Sequence, residues 1–255
     1  SSSKDKKAVT IEMSPKKIGI YEVKNENQLI CSNHFQSEIY NNDRKNEKHK
    51  IESHSVYRYK RMEELIETNN KLNPEKAVEI LRNTKGIKDE NIGYGNEKAL
   101  NHLLAHHSIV FKPKDLLVWV SSNPYQLGEY VCYDLKNIFS EEFTFEEGVS
   151  ISEKKLTISK DEFINSEDYK NYNRYKLLSK EIKSKIDNNE SINEKLLKDL
   201  KLSNSNFWEA YFLEGKYYYS INKYKKSLEA FTIANSKEIP TMYEKEKVEK
   251  YIKKF

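Results

Sequence analysis

The residues that could do chemistry fall into a few groups. His102-x-x-x-His106-His107 would put two imidazoles on one face of a helix, as zinc sites do. No Glu follows His102 in the metalloprotease pattern and no third ligand is in sight, so these read as helix-end or loop histidines. Ser108 adjoins His107, but neighbours on a strand point to opposite faces and cannot pair for catalysis. Gly93-Tyr94-Gly95-Asn96 lacks the strand–loop–helix setting of a nucleotide site and reads as a turn. Asn33-His34-Phe35 stands where a strand runs out into a long polar stretch. An Asn there can donate its amide N–H to a developing oxyanion, or it can satisfy a turn backbone. By themselves the residues favour the second. Arg58 and Arg61 flank an otherwise apolar helix face, where a guanidinium orients a carboxylate or a reacting group, or simply faces solvent.

Composition narrows the setting. The chain has 255 residues, enough for one large domain or two small ones with a real core. Lys+Arg is 44 against Asp+Glu 40, a net charge of +4. That balance is too small and too evenly spread for a polyanion partner, and nearly all the positive charge is Lys, so no nucleic acid is expected. Mean hydropathy is −0.88, yet 18 Tyr and 10 Phe argue for packed structure. Cys31 and Cys132 match no metal or redox spacing and read as two buried thiols rather than one disulfide. Ser1 to Lys7 reads as an exposed polar turn leading into a strand, as if the chain begins inside a fold: a processed subunit, a proteolytic product or a truncated form.

These residues need elements to position them. Ala8–Glu12 and Ile18–Val23 alternate and, with Gln28–Ser32 following, read as a short meander, with Lys24–Asn27 as a turn. Residues 36–53 read as a long polar loop. Ser55 to Asn69 reads as a helix capped by Ser55, with Tyr59, Met62, Leu65 and Ile66 on one apolar face. Asn73-Pro74 opens a second helix that turns Ala77, Val78 and Leu81 inward and stops near Gly86. Ser108–Pro113, Leu116–Ser121 and Glu129–Leu135 read as three antiparallel strands, the second buried on both faces.

The domain plan is then 1–140 as a mixed α+β domain, 141–160 as a linker or short extra structure, and 161–255 as an all-α region. Tyr175, Leu178, Ile182 and Ile186 keep helical spacing there. Within it, Gly215, Tyr218, Tyr224, Ser227, Phe231, Ala234 and Pro240 match tetratricopeptide spacing over 207–240. Trp208 is early and Leu213 is one residue out of register. One copy cannot bury its faces alone and must pack on neighbouring helices.

An ordered set of stretches carries a family resemblance. It comprises Ile11-Glu12-Met13-Ser14-Pro15, Asn33-His34-Phe35 and Ser55-Val56-Tyr57-Arg58-Tyr59-Lys60-Arg61-Met62. It continues through His107–Pro113, Leu117-Val118-Trp119-Val120 and Gly128–Leu135. Over residues 8–139 it resembles the later half of the N-terminal nucleophile (Ntn) acyltransferases related to acyl-coenzyme A:6-aminopenicillanic acid acyltransferase. The resemblance implies part of an αββα sandwich with antiparallel sheets, and a protein that cuts itself to expose an N-terminal Cys. That Cys attacks an amide or thioester and forms an acyl-enzyme, with its own α-amino group as base. Asn33 matches the family's oxyanion-holding Asn, and Arg58 and Arg61 lie in its Arg-bearing segment. His34 and Phe35 would then touch substrate.

The implied partners are an upstream chain carrying the Cys, an acyl amide or acyl-coenzyme A, and a protein at the helical tail. No metal or redox cofactor is called for. Neither Cys31, inside a strand, nor Cys132, mid-strand, sits where the nucleophile should. Ser1 is an N-terminal alternative set in a polar turn. Bacterial relatives with such a tail resemble exported lipoproteins, which implies the periplasm or cell envelope. The rival reading is a non-catalytic protein that binds a partner peptide through its helices.

Overall fold

The computed structural model describes residues 8–22, 28–69 and 71–255, so Ser1, the run to Lys7 and the turn Lys24–Asn27 lie outside the described residues. The chain divides into two compact units. The first takes residues 1–51, 55–83 and 103–161; the second takes 52–54, 84–102 and 162–255. No helix among the described residues is long and apolar enough to cross a membrane.

The first unit opens with a hairpin of β1 (Thr10–Ser14) and β2 (Lys17–Tyr21), in the register Ile11↔Ile20 and Met13↔Ile18. Alternation predicts the strands, but their polarity is inverted. Glu12 and Gly19 occupy the buried face, while Ile11, Met13, Ile18 and Ile20 are 64–67% exposed. Gly19 is required there, because a Cβ would fall 2.1 Å from Ser37 Oγ. The expected third strand, Gln28–Ser32, does not form; the chain runs irregularly from Gln28 to Phe35, with side chains in place of a ladder holding its later residues. The expected polar loop is also corrected. It contains a single helical turn at Glu38–Tyr40 and helix α1 (Arg44–Glu52). Asp43 starts α1 by accepting from the backbone N–H groups of Lys45 and Asn46, both at 3.0 Å.

Helix α2 (Ser55–Glu67) forms as its periodicity predicts, yet its buried residues are Ser55 and Arg61, with Met62, Leu65 and Ile66 half-buried. Helix α3 (Pro74–Leu81) starts at the expected cap, Asn73 Oδ1 accepting from Lys76 N at 2.8 Å. Val78 packs on Val110, Trp119, Tyr130 and Cys132, with Ala77 and Leu81 against the same cluster. Those residues belong to an antiparallel sheet in the order β3 (Ile109–Lys112), β4 (Leu117–Ser121), β5 (Tyr130–Asp134), followed by the one-turn helix α4 (Leu135–Ile138). Burial of both Val118 and Trp119 agrees with a strand covered on both faces. The last part of the stretch read as a linker lies along β5. Ile158 and Tyr130 bridge, and Trp119 Nε1 donates to the Leu156 carbonyl at 2.7 Å.

The second unit is helical: α5 (Glu167–Asp187), α6 (Glu194–Ser203), α7 (Trp208–Ser220), α8 (Tyr224–Ser236) and α9 (Met242–Ile252). Ser166, Asn193 and Thr241 cap three of them with side-chain oxygens. Helices α7 and α8 form the hairpin that the 207–240 spacing predicts. At Gly215 a Cβ would stand 2.7 Å from the Phe231 ring, so only Gly lets the two helices approach this closely. Ser227 Oγ then donates to the Gly215 carbonyl at 2.9 Å. The glycine loop is structural. Gly93 and Gly95 take φ of +82° and +88°, and Asn204 brackets Tyr94 by bonding its N–H and its carbonyl.

Candidate functional site

The first unit holds a hollow of about 500 Å³. One wall is β1, with all five residues from Thr10 to Ser14 lining it. Both side-chain parities can line a hollow only if it runs along a strand's edge. The opposite edge of β1 is paired with β2, and among the described residues β1 has no second partner. The other walls are the irregular segment Cys31–Phe35 and the start of α1. The site is therefore a slot beside a strand edge that is unpaired among the described residues, where a further extended segment can be received.

The segment Asn33-His34-Phe35 is held in place by buried polar side chains. Asn46 on α1 clamps the backbone of Phe35, accepting from its N–H at 3.0 Å and donating to its carbonyl at 2.9 Å. Glu12, 5% exposed, accepts from Gln36 N at 2.7 Å, Ser37 N at 2.8 Å and Ser37 Oγ at 2.6 Å. A carboxylate buried on a strand next to a loop is tolerated because three donors meet it. The Phe35 ring stacks on Tyr40 at 4.0 Å, making an apolar floor.

Asn33 is exposed and lines the hollow. Its Oδ1 accepts a hydrogen bond from Arg58 Nη2. Arg58, on α2, thereby sorts the two ends of the amide. With the carbonyl oxygen engaged by a cation, the NH₂ is the group left to meet a ligand, and the bond polarises it as a donor. His34 sits beside it with Nδ1 2.9 Å from Ser55 Oγ, and Ser55 Oγ donates in turn to Ser32 Oγ at 3.2 Å. Which of His34 Nδ1 and Ser55 Oγ donates depends on the His34 tautomer. Burial, then the positive fields of Lys50 and His49, hold the His34 pKa below its ordinary 6.5.

Of the residues proposed from sequence, Asn33, His34 and Phe35 line this hollow and Arg58 touches Asn33. Arg61 goes elsewhere. It is 1% exposed, donates to Glu64 at 2.8 Å and to Asn83 at 3.3 Å, and is a buried structural cation rather than a solvated one. Cys31 also lines the hollow and is exposed, while Cys132 is buried; both are free thiols, so the expectation of two buried thiols holds only for Cys132. The spacing of His102 and His106 does not become a helix face, since residues 101–108 are not helical. Among the described residues no group of three His, Cys, Asp or Glu could hold a metal. Ser108 bonds the Tyr130 hydroxyl and receives no help from His107.

Residue spacing does not reveal Glu12, Asn46 and Ser55 as the supports of this site. Alternation places Glu12 on the polar face of β1 with Thr10 and Ser14, so its burial carries no signal in the sequence.

A family model described as acyl-coenzyme A:6-aminopenicillanic acid acyl-transferase matches residues 2–124. The matched stretch includes every residue of the hollow and Arg58, and it ends before β5 and helices α5–α9. No curated protein and no solved structure gives a match.

Proposed function

We propose that the first unit is the later part of a self-processing Ntn acyltransferase or amidohydrolase, and that the hollow beside β1 is its acyl-transfer site. The observation that carries this reading is the oriented amide of Asn33. A donor NH₂, with its own oxygen tied to Arg58, stands in a hollow with an apolar floor. An oxyanion requires that arrangement: a donor fixed before the charge develops. The match of an acyltransferase family model over the same residues supports it.

In this reading the nucleophile is the N-terminal Cys of a segment upstream of Ser1, entering the slot as an extended strand along the open edge of β1. The αββα sandwich belongs to the same proposal, with the hairpin as part of a larger sheet. The Cys thiol loses its proton to its own α-amino group and attacks the acyl carbon. Negative charge gathers on the carbonyl oxygen, where Asn33 Nδ2–H donates to it. The C–N or C–S bond breaks, and the departing amine or thiolate takes up the proton from the ammonium. The resulting thioester is then cleaved by water or by an acceptor amine. Phe35 would bear against the acyl group. His34 would bear on the substrate beside Asn33, and Arg58 acts through Asn33 as a positioning residue.

The test is to mix the whole protein, upstream segment included, with an acyl-coenzyme A, quench in acid and map the adduct by peptide mass spectrometry. N-terminal sequencing of every chain present goes with it. The expected result is a second chain beginning with Cys that carries the acyl group. An acyl group on Cys31 would transfer the nucleophile's role to this chain and overturn the proposal. Unmodified protein would overturn acyl-enzyme chemistry altogether.

A further inference from the structure

The segment that carries Asn33 is gripped from two sides, and each grip takes a different part of it. Between Gln28 and Phe35 the chain has no strand ladder, so side chains from elsewhere set its place. On one side stands the first turn of α2. Ser55, 0% exposed, puts its Oγ 2.9 Å from His34 Nδ1 and 3.2 Å from Ser32 Oγ, so one hydroxyl ties both neighbours of Asn33. Arg58 follows three positions on, along the same face of the helix, and bonds Asn33 Oδ1. Tyr59, four positions on, meets the His34 ring edge to face at 5.8 Å. Ser32, Asn33 and His34 are thus all fixed to one turn of one helix.

On the other side stands α1, and its grip falls on Phe35. Asn46, 6% exposed, holds both the N–H and the carbonyl of that residue. The Phe35 ring lies on Tyr40, which is 1% exposed and donates its hydroxyl to the Lys17 carbonyl at 2.8 Å. Clamp, ring and stacking partner therefore form one block. Asn33 takes its position from α2, and Phe35 takes its position from α1.

The two positions matter at different moments of an acyl transfer. A donor to the oxyanion meets its full charge only in the transition state, and a small misplacement costs rate. An apolar wall touches the acyl group before and during bond breaking alike, so it contributes uniform binding. Loosening α2's grip should act on kcat, and loosening α1's grip should act on KM.

We propose that α2 and α1 divide the acyl-transfer site between them. Ser55 is a positioning residue for the oxyanion donor Asn33. Asn46 is a positioning residue for Phe35, and through that ring it sets which acyl groups the hollow accepts. The proposal rests on the acyl-transfer reading of this hollow.

Steady-state kinetics of the whole processed protein with acetyl-coenzyme A and octanoyl-coenzyme A test it. Ser55→Ala should lower kcat about 10–10²-fold for both acyl groups, with KM within about twofold of wild type. Asn46→Ala should raise KM for the octanoyl substrate about tenfold, with KM for the acetyl substrate and both kcat values within about twofold. Phe35→Leu leaves the backbone clamp in place and should shift KM in the same sense, which keeps the test decisive if Asn46→Ala does not fold. In an Asn33→Ala background, Ser55→Ala should cause no further slowing, because the group it positions is gone. Additive losses would mean that Ser55 serves the fold at large and would overturn its role. Equal changes for the two acyl groups in both the Asn46 and the Phe35 variants would overturn the division. If Asn33→Ala is slow and Ser55→Ala is not, this proposal alone fails; if Asn33→Ala reacts at the wild-type rate, the acyl-transfer reading fails with it.

Discussion

The helical unit and the slot region of the first unit bury opposite kinds of side chain. In the helical unit a chain of rings forms the interior: Phe207, Trp208, Phe212 and Phe231 are all buried, and Phe231 stacks on Tyr251 at 4.7 Å. In the first unit the slot region turns this inside out. Glu12, Asn46 and Ser55 are buried, while the four large apolar side chains of the hairpin lie open. A helical hairpin can complete its packing with its own neighbours, which local sequence supplies. A two-stranded hairpin with an apolar outer face cannot, and needs further strands or a covering layer to be stable. Buried polar groups around Asn33 fix its position at a cost in stability, as functional sites commonly do.

This contrast can be tested at decreasing scale. Phe231→Ala removes a fully buried ring and should destabilise the helical unit by about 3–5 kcal/mol in denaturant unfolding. The same kind of truncation at Ile20, 64% exposed, should stay within about 0.5 kcal/mol in this chain. A large loss at Ile20 would mean that the hairpin face is already covered. Glu12→Ala strips the acceptor from Gln36 N, Ser37 N and Ser37 Oγ and should cost about 1–3 kcal/mol, read as a lower midpoint for the first unit.

The smallest effect distinguishes one group in each unit by sign. The His34 pKa is lowered, by burial first, so the folded state binds its proton less readily than the unfolded chain. Its contribution is intact above pH 6.5 and is lost as pH falls from there through the folded value. The Glu244 pKa is raised, again by burial first, so its contribution is present below pH 4.5 and is lost as pH rises through the folded value. Acidification should therefore remove the His34 contribution and favour that of Glu244. His34→Asn and Glu244→Gln should each change the pH dependence of thermal melts, in opposite senses. Changes of the same sense for the two variants would contradict the assignment.

Much of the fold is legible because its signals are local. Asn73-Pro74 starts α3, the apolar runs make β3–β5, and Gly215, Ser227 and Phe231 mark the α7–α8 contact. The failures share one cause. Gln28–Ser32 has the apolar run of a strand, but the groups that hold the segment it enters come from α1 and α2, far along the chain. Helix α1 has a polar sequence with almost no apolar stripe, so periodicity cannot find it; its start depends on Asp43 and its place on Asn46. At the site, Asn33 is legible as an amide at the end of an extended run. Its partner Arg58 stands 25 residues away, and only the fold brings the two together.

Asn33 is therefore where the account is most exposed. The decisive measurement is the rate of thiol release from an acyl-coenzyme A by the whole processed protein, wild type against Asn33→Ala. Loss of a fixed oxyanion donor should slow the reaction by about 10²–10³-fold while the circular dichroism spectrum stays the same. An unchanged rate in a folded variant would remove Asn33 from the site, and with it the assignment of the hollow beside β1 as the place of acyl transfer.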